Sequence, residues 1–149
     1  MLSTLKQGRV KKTENNNLYD YATENDIAVL NVELPKNKSV SAMSNSGKCY
    51  IGLDPIEIKT QSEENVHLAH EIGHCKNGAF YNPYSNLDIR EKHEQTANRW
   101  AVKKLVPKSE LVPLLKKGYE RWELAEHFEV TEDFITLAIR MYFEYGIAV

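Results

Sequence analysis

Helical spacing opens the readable part of the chain: Leu18, Tyr21 and Ala22 recur on one face and predict a first helix near residues 16–26. The pattern then changes. Ile27 to Leu34 is rich in β-branched and apolar residues and stops at Pro35, which predicts a strand. Val40 to Asn45 predicts a second strand, Ser46-Gly47 a turn, and Lys48 to Leu53 a third strand closed by Asp54-Pro55. From Thr60 onward helical periodicity returns. Thr60-x-x-Glu63 reads as a capping box, in which each side chain satisfies the other residue's free backbone donor. The helix it opens is expected to run to about Lys76 and to stop at Asn77-Gly78. A loop holding Asn82-Pro83-Tyr84-Ser85-Asn86 follows. Glu94, Ala97, Asn98, Ala101, Val102 and Leu105 then mark one face of another helix, ended by Pro107. Shorter helices are expected near 109–117, 120–128 and 131–144. The fold class is therefore α+β: a small N-terminal sheet followed by a mainly helical remainder. The chain reads as a single domain over 1–149, with a flexible polar arm at 1–15 and a helical pair over 120–146.

Composition narrows the partners more than the fold. With 149 residues, 42% of them hydrophobic, the chain is long enough to bury a core without staples. The formal net charge of -2 gives no global electrostatic reason for nucleic-acid or membrane binding. Lys6, Arg9, Lys11 and Lys12 are scattered along the arm and read as solvated charges. No apolar run is long enough to span a bilayer, and the N-terminus lacks the apolar stretch of a secretory signal. Cys49 and Cys75 do not form a disulfide framework or a C-x-x-C pair, so the expectation is a cytoplasmic protein with reduced thiols. Cys75 is read as a small buried hydrophobe.

The chemistry concentrates in His70-Glu71-Ile72-Gly73-His74. Positions i and i+4 of a helix lie one above the other, so His70 and His74 can aim their imidazoles at one point. Neutral imidazole is a good zinc ligand, and Glu71, one position further round, can act as general base toward a zinc-activated water. Gly73 is costly in mid-helix and suggests that another backbone approaches there. A third protein ligand must come from elsewhere. The candidates are Asp88, Glu91, His93 and Glu94; Glu94 alone shares the inner face with Ala97, Asn98 and Ala101, and His93 points about 100° away. His67, three residues before His70, is read as a second-shell partner or an exposed residue, with ligation as the competing reading.

Leu68-Ala69-His70-Glu71-Ile72-Gly73-His74, followed by Glu94-x-x-Ala97-Asn98-x-x-Ala101 and Leu105-Val106-Pro107, resembles the ImmA/IrrE family of zinc metallopeptidases. The resemblance is clearest over residues 60–110 and extends more loosely over most of the chain. It implies a compact zincin-like core, one Zn2+ held by His70, His74 and Glu94, and Glu71 as catalytic acid and base. It also implies site-specific cleavage of helix-turn-helix repressors, often by proteins encoded on phages or mobile elements. Some relatives carry an appended DNA-binding or sensor domain, for which this chain has no room.

The expected function is thus a zinc-dependent endopeptidase acting on a transcriptional repressor or similar regulatory protein. A protease must hold an extended backbone, and the strand Cys49 to Leu53, with Tyr50, Ile51 and Gly52, is the candidate edge for pairing with substrate. Tyr81, Tyr84 and Asn98 are open candidates for an oxyanion donor. The alternative function is a non-catalytic or DNA- or repressor-binding module, because Glu123 to Phe134 resembles part of a helix-turn-helix. The segment's acidic opening and the stripe Phe134, Leu137, Ala138, Met141 and Tyr142 favour packing over DNA contact.

Overall fold

The computed structural model describes residues 14–80 and 84–144. The arm lies outside them up to residue 13, along with its four basic residues, and so do Tyr81, Asn82 and Pro83. Helix α1 (Glu14–Glu24) begins two residues before the expected start. It leads into β1 (Ile27–Asn31), β2 (Ser39–Met43) and β3 (Cys49–Leu53). Five helices follow: α2 (Gln61–Asn77), α3 (Leu87–Leu105), α4 (Lys108–Lys116), α5 (Arg121–Phe128) and α6 (Glu132–Phe143). The architecture is α+β, with the sheet early and the helices after it, as the periodicity predicts.

The sheet order is β1-β3-β2, with β1 parallel and β2 antiparallel to β3. This corrects one expectation. Tyr50, Ile51 and Gly52 do not form a free edge, because β3 is hydrogen-bonded on both sides and its backbone groups are already paired. Adjacency in sequence to α2 suggested an edge; burial explains the centre. Cys49, Ile51 and Leu53 point inward as part of the hydrophobic core, which favours the most enclosed position. Among the described residues, the unpaired edge nearest α2 belongs to β2.

Local signals set the limits of α2. Thr60 accepts from the Glu63 amide at 3.1 Å, as a cap should. The reciprocal half of the box is displaced by one residue: Glu63 Oε1 accepts from the Lys59 amide, and its Oε2 pairs with Lys38 at 2.7 Å. At the other end Gly78 takes the left-handed conformation, φ 60°, that stops a helix cleanly. Asp54, buried at the end of β3, accepts from the amides of Leu34, Ile56 and Glu57. These bonds, the Leu34 amide foremost, hold its carboxyl below the usual range and tie the β1–β2 connection to the turn that leads into α2.

The two cysteines supply a second correction. Cys49 and Cys75 are joined in a disulfide between the first residue of β3 and the last turn of α2. Cys75 lies on the helix face turned toward the sheet, a juxtaposition that a separation of 26 residues does not announce. Among the described residues no helix is long and apolar enough to cross a membrane.

Helices α2 and α3 meet most closely at Gly73. A Cβ built there would lie 2.6 Å from the Ala97 carbonyl oxygen and 3.0 Å from its Cα. These are backbone atoms of a neighbouring helix, so they cannot rotate away. Two turns earlier in α2, the buried Asn65 donates to the Glu129 carbonyl at 2.7 Å and ties α2 to the turn between α5 and α6. Replacing Gly73 by alanine gains about 1 kcal/mol of helix propensity but forces the two helices apart. Gly73→Ala is therefore expected to lower stability by about 1–3 kcal/mol, as overpacking does, in urea denaturation. An unchanged or raised midpoint would show that α3 yields without cost.

Candidate metal centre

The capped helix α2 brings His70 and His74 to one face, and the close crossing at Gly73 brings Glu94 of α3 opposite them. His70 Nε2 lies 2.9 Å from Glu94 Oε1, and His74 Nε2 lies 3.3 Å from Glu94 Oε2. The two histidine Nε2 atoms are 3.2 Å apart. The three donor atoms all fall within 4.8 Å of one another, and among the described residues this is the one such group. Neither His93 nor His67 belongs to it, nor do Asp88 and Glu91.

The hydrogen bonds behind the histidines test whether this group suits a cation. His74 Nδ1 lies against the Ala79 carbonyl, which only accepts, so Nδ1 carries the proton. In the neutral ring this leaves a lone pair on Nε2. His70 Nδ1 lies 2.7 Å from Asn98 Oδ1, which fixes the same tautomer. Two lone pairs and a carboxylate then face a single point with no proton between them. Without a cation that arrangement is repulsive; with one, all three groups are satisfied. The alternative is a protonated imidazole. Burial lowers the pKa of His74, but the hydrogen bonds to Glu94 and the Ala79 carbonyl outweigh it and the net shift is upward. The donor set of two imidazoles and one carboxylate suits a divalent transition metal.

Glu71 sits beside this point and is almost entirely buried. Its Oε2 accepts from the Ser39 hydroxyl at 2.7 Å, and Ser39 Oγ is 3.0 Å from His67 Nδ1. A serine has one proton to give. Because it goes to Glu71, Ser39 must accept from His67 Nδ1–H. Burial, before any nearby charge, lowers the pKa of His67 and favours the neutral ring, in which this chain of bonds places the proton on Nδ1. His67 thus stands outside the three-donor group and reaches Glu71 through Ser39. Ser39 escaped sequence reasoning altogether, since a serine at the start of a strand carries no motif.

A cleft of about 410 Å3 opens over the site, bounded by residues 37–41 on one side and by α2 on the other. Ala79 and Phe80 close one end, with the Phe80 ring 6.1 Å from that of His74. Of the oxyanion candidates, Tyr84 is 95% exposed and does not line the cleft. Asn98 directs its side-chain oxygen at His70. Tyr81 lies outside the described residues.

This geometry belongs to the residues that carry the family pattern. The family model described as the IrrE N-terminal-like domain of peptidase M78 matches residues 22–140. The chain belongs to this family. The M78 assignment bears out the resemblance drawn from the two motifs, and it makes the chain a member of a metallopeptidase family. The matched range runs from the end of α1 to within α6, so the sheet and the C-terminal helices belong to the family pattern as well as the motif helices. No curated protein and no solved structure gave a significant match.

Asn98→Ala removes the group that orients His70 while leaving all three donors in place. It is expected to weaken metal binding by about 10–100-fold, the usual cost of losing an outer-shell partner, in chelator-competition titration. Unchanged affinity would mean that His70 is oriented by packing alone.

Proposed function

We propose that the protein is a zinc-dependent endopeptidase, with His70, His74 and Glu94 as the metal ligands and Glu71 as the general acid and base. The observation that carries this reading is the convergence of two imidazoles and a carboxylate, their donor atoms within 4.8 Å of one another, beside the buried Glu71 carboxylate in an open cleft. A zinc ion held there supplies a Lewis acid, which polarises a carbonyl and makes water more acidic. The remaining work falls to the chain's own residues. Ser39 holds Glu71 Oε2, which leaves Oε1 to take a proton from the attacking water and to pass it to the departing amine.

The substrate lies extended along β2. Its outer edge is unpaired among the described residues, Ser39 to Ser41 border the cleft, and an added strand would run across the donor cluster. A cleft open along a strand edge suits an unfolded or loop segment of a protein. A helix-turn-helix repressor is the proposed substrate, on the strength of the family resemblance. The competing DNA-binding reading loses support from α6, where Phe134, Ala138, Met141 and Tyr142 are buried. Their burial leaves that helix face committed to the core.

Metal content by elemental mass spectrometry is expected to reach about one zinc per chain. Glu71→Gln should keep the metal and abolish cleavage of a repressor encoded nearby. Normal cleavage by that variant would remove Glu71 from its role. Absence of bound metal that zinc titration cannot restore would remove the mechanism.

A further inference from the structure

Next to the main cleft is a second pocket of about 300 Å3, at the junction of α2, α3 and the first turns of α6. Its walls include Val66 from α2 and Phe134 and Leu137 from α6. Its inner end is formed by His70 and Asn98, the histidine and amide that hold one corner of the donor cluster. His67 and His70 line both cavities, so the two lie side by side along α2. Asp133, exposed in the first turn of α6, stands at the mouth.

Three properties define what fits. The volume lies at the small end of the range for ligand pockets, about 300–1,000 Å3, which suits one side chain rather than a whole ligand. The lining is mainly apolar, so it favours a hydrocarbon side chain over a polar one. The carboxylate at the mouth repels an acidic residue. Successive side chains of an extended peptide point to opposite faces. A peptide paired with β2, with its scissile carbonyl at the donor cluster, therefore turns one neighbouring side chain toward α2 and α6.

We propose that this pocket is the principal specificity subsite, taking a large aliphatic or aromatic side chain next to the scissile bond and excluding acidic ones. The inference rests on the metallopeptidase reading above, and its test separates the two. Hydroxamic acids anchor on a protein-bound zinc ion whether or not cleavage occurs. Acetohydroxamate tests the anchor alone, while hydroxamates bearing an isobutyl, benzyl or carboxyethyl group test the pocket. Binding to the zinc-loaded protein is read by isothermal titration calorimetry.

The isobutyl and benzyl compounds are expected to bind at least about tenfold tighter than acetohydroxamate, and the carboxyethyl compound no tighter. Leu137→Trp, which fills the pocket, should erase that gain and leave acetohydroxamate binding unchanged. Val66→Phe enters from the opposite wall and should do the same, so the result does not depend on one variant folding. A gain that is absent in the parent protein, or that survives in both variants while acetohydroxamate still binds, overturns the subsite. If acetohydroxamate does not bind the parent protein, the metal site itself fails and the subsite falls with it.

Discussion

The approach of Gly73 to the backbone of Ala97 is the contact on which the site depends. Two of the three donors come from α2 and the third from α3, so their spacing is the spacing of two helix axes. Small residues on both sides set that distance. Gly73 lets the Ala97 carbonyl in, while Ala97 and Ala101 of α3 are fully buried without spreading the pair. A side chain at this crossing would widen the gap between Glu94 and the imidazoles, and a ligand moved by an ångström is no longer a ligand.

Around that crossing, the polar groups are arranged so that each proton has one place to go. The Ala79 carbonyl and Asn98 take the Nδ1 protons of His74 and His70, and Ser39 passes the His67 contact on to Glu71. The outer members come from three different elements: the residue after the C-cap of α2, the middle of α3, and the first residue of β2. Orientation of the site is thereby spread over the fold instead of being local to the motif.

Much of this was legible in the sequence because it is local. A threonine cap, a left-handed glycine stop and a repeat of small residues write α2 and α3 directly into the chain, and i to i+4 spacing writes the histidine pair. Glu94 could be chosen over His93 because a helical face is a periodic property. What sequence did not reveal is pairing over distance. Strand order is one case: β3 follows β2 and precedes the active-site helix, yet its inward Cys49, Ile51 and Leu53 place it at the centre. The Cys49–Cys75 bond is another, since no local signal relates a strand residue to a helix residue 26 positions later. Ser39 is the third, an ordinary residue given a role only by what packs against it.

The open edge of β2 has a consequence for the protein before any substrate arrives. Unpaired strand backbone does not discriminate among extended chains, so an edge available to one peptide is available to a second copy of the protein or to a growing fibril. The outer face of the same strand carries Val40 and Ala42, both exposed, Met43 at its end is exposed as well, and together they offer such a ladder little charge to repel it. Lys38, just ahead of the strand, is the nearest gatekeeping charge, and it is already paired with Glu63. Colloidal behaviour and the proposed seat of the substrate thus fall on one stretch of five residues.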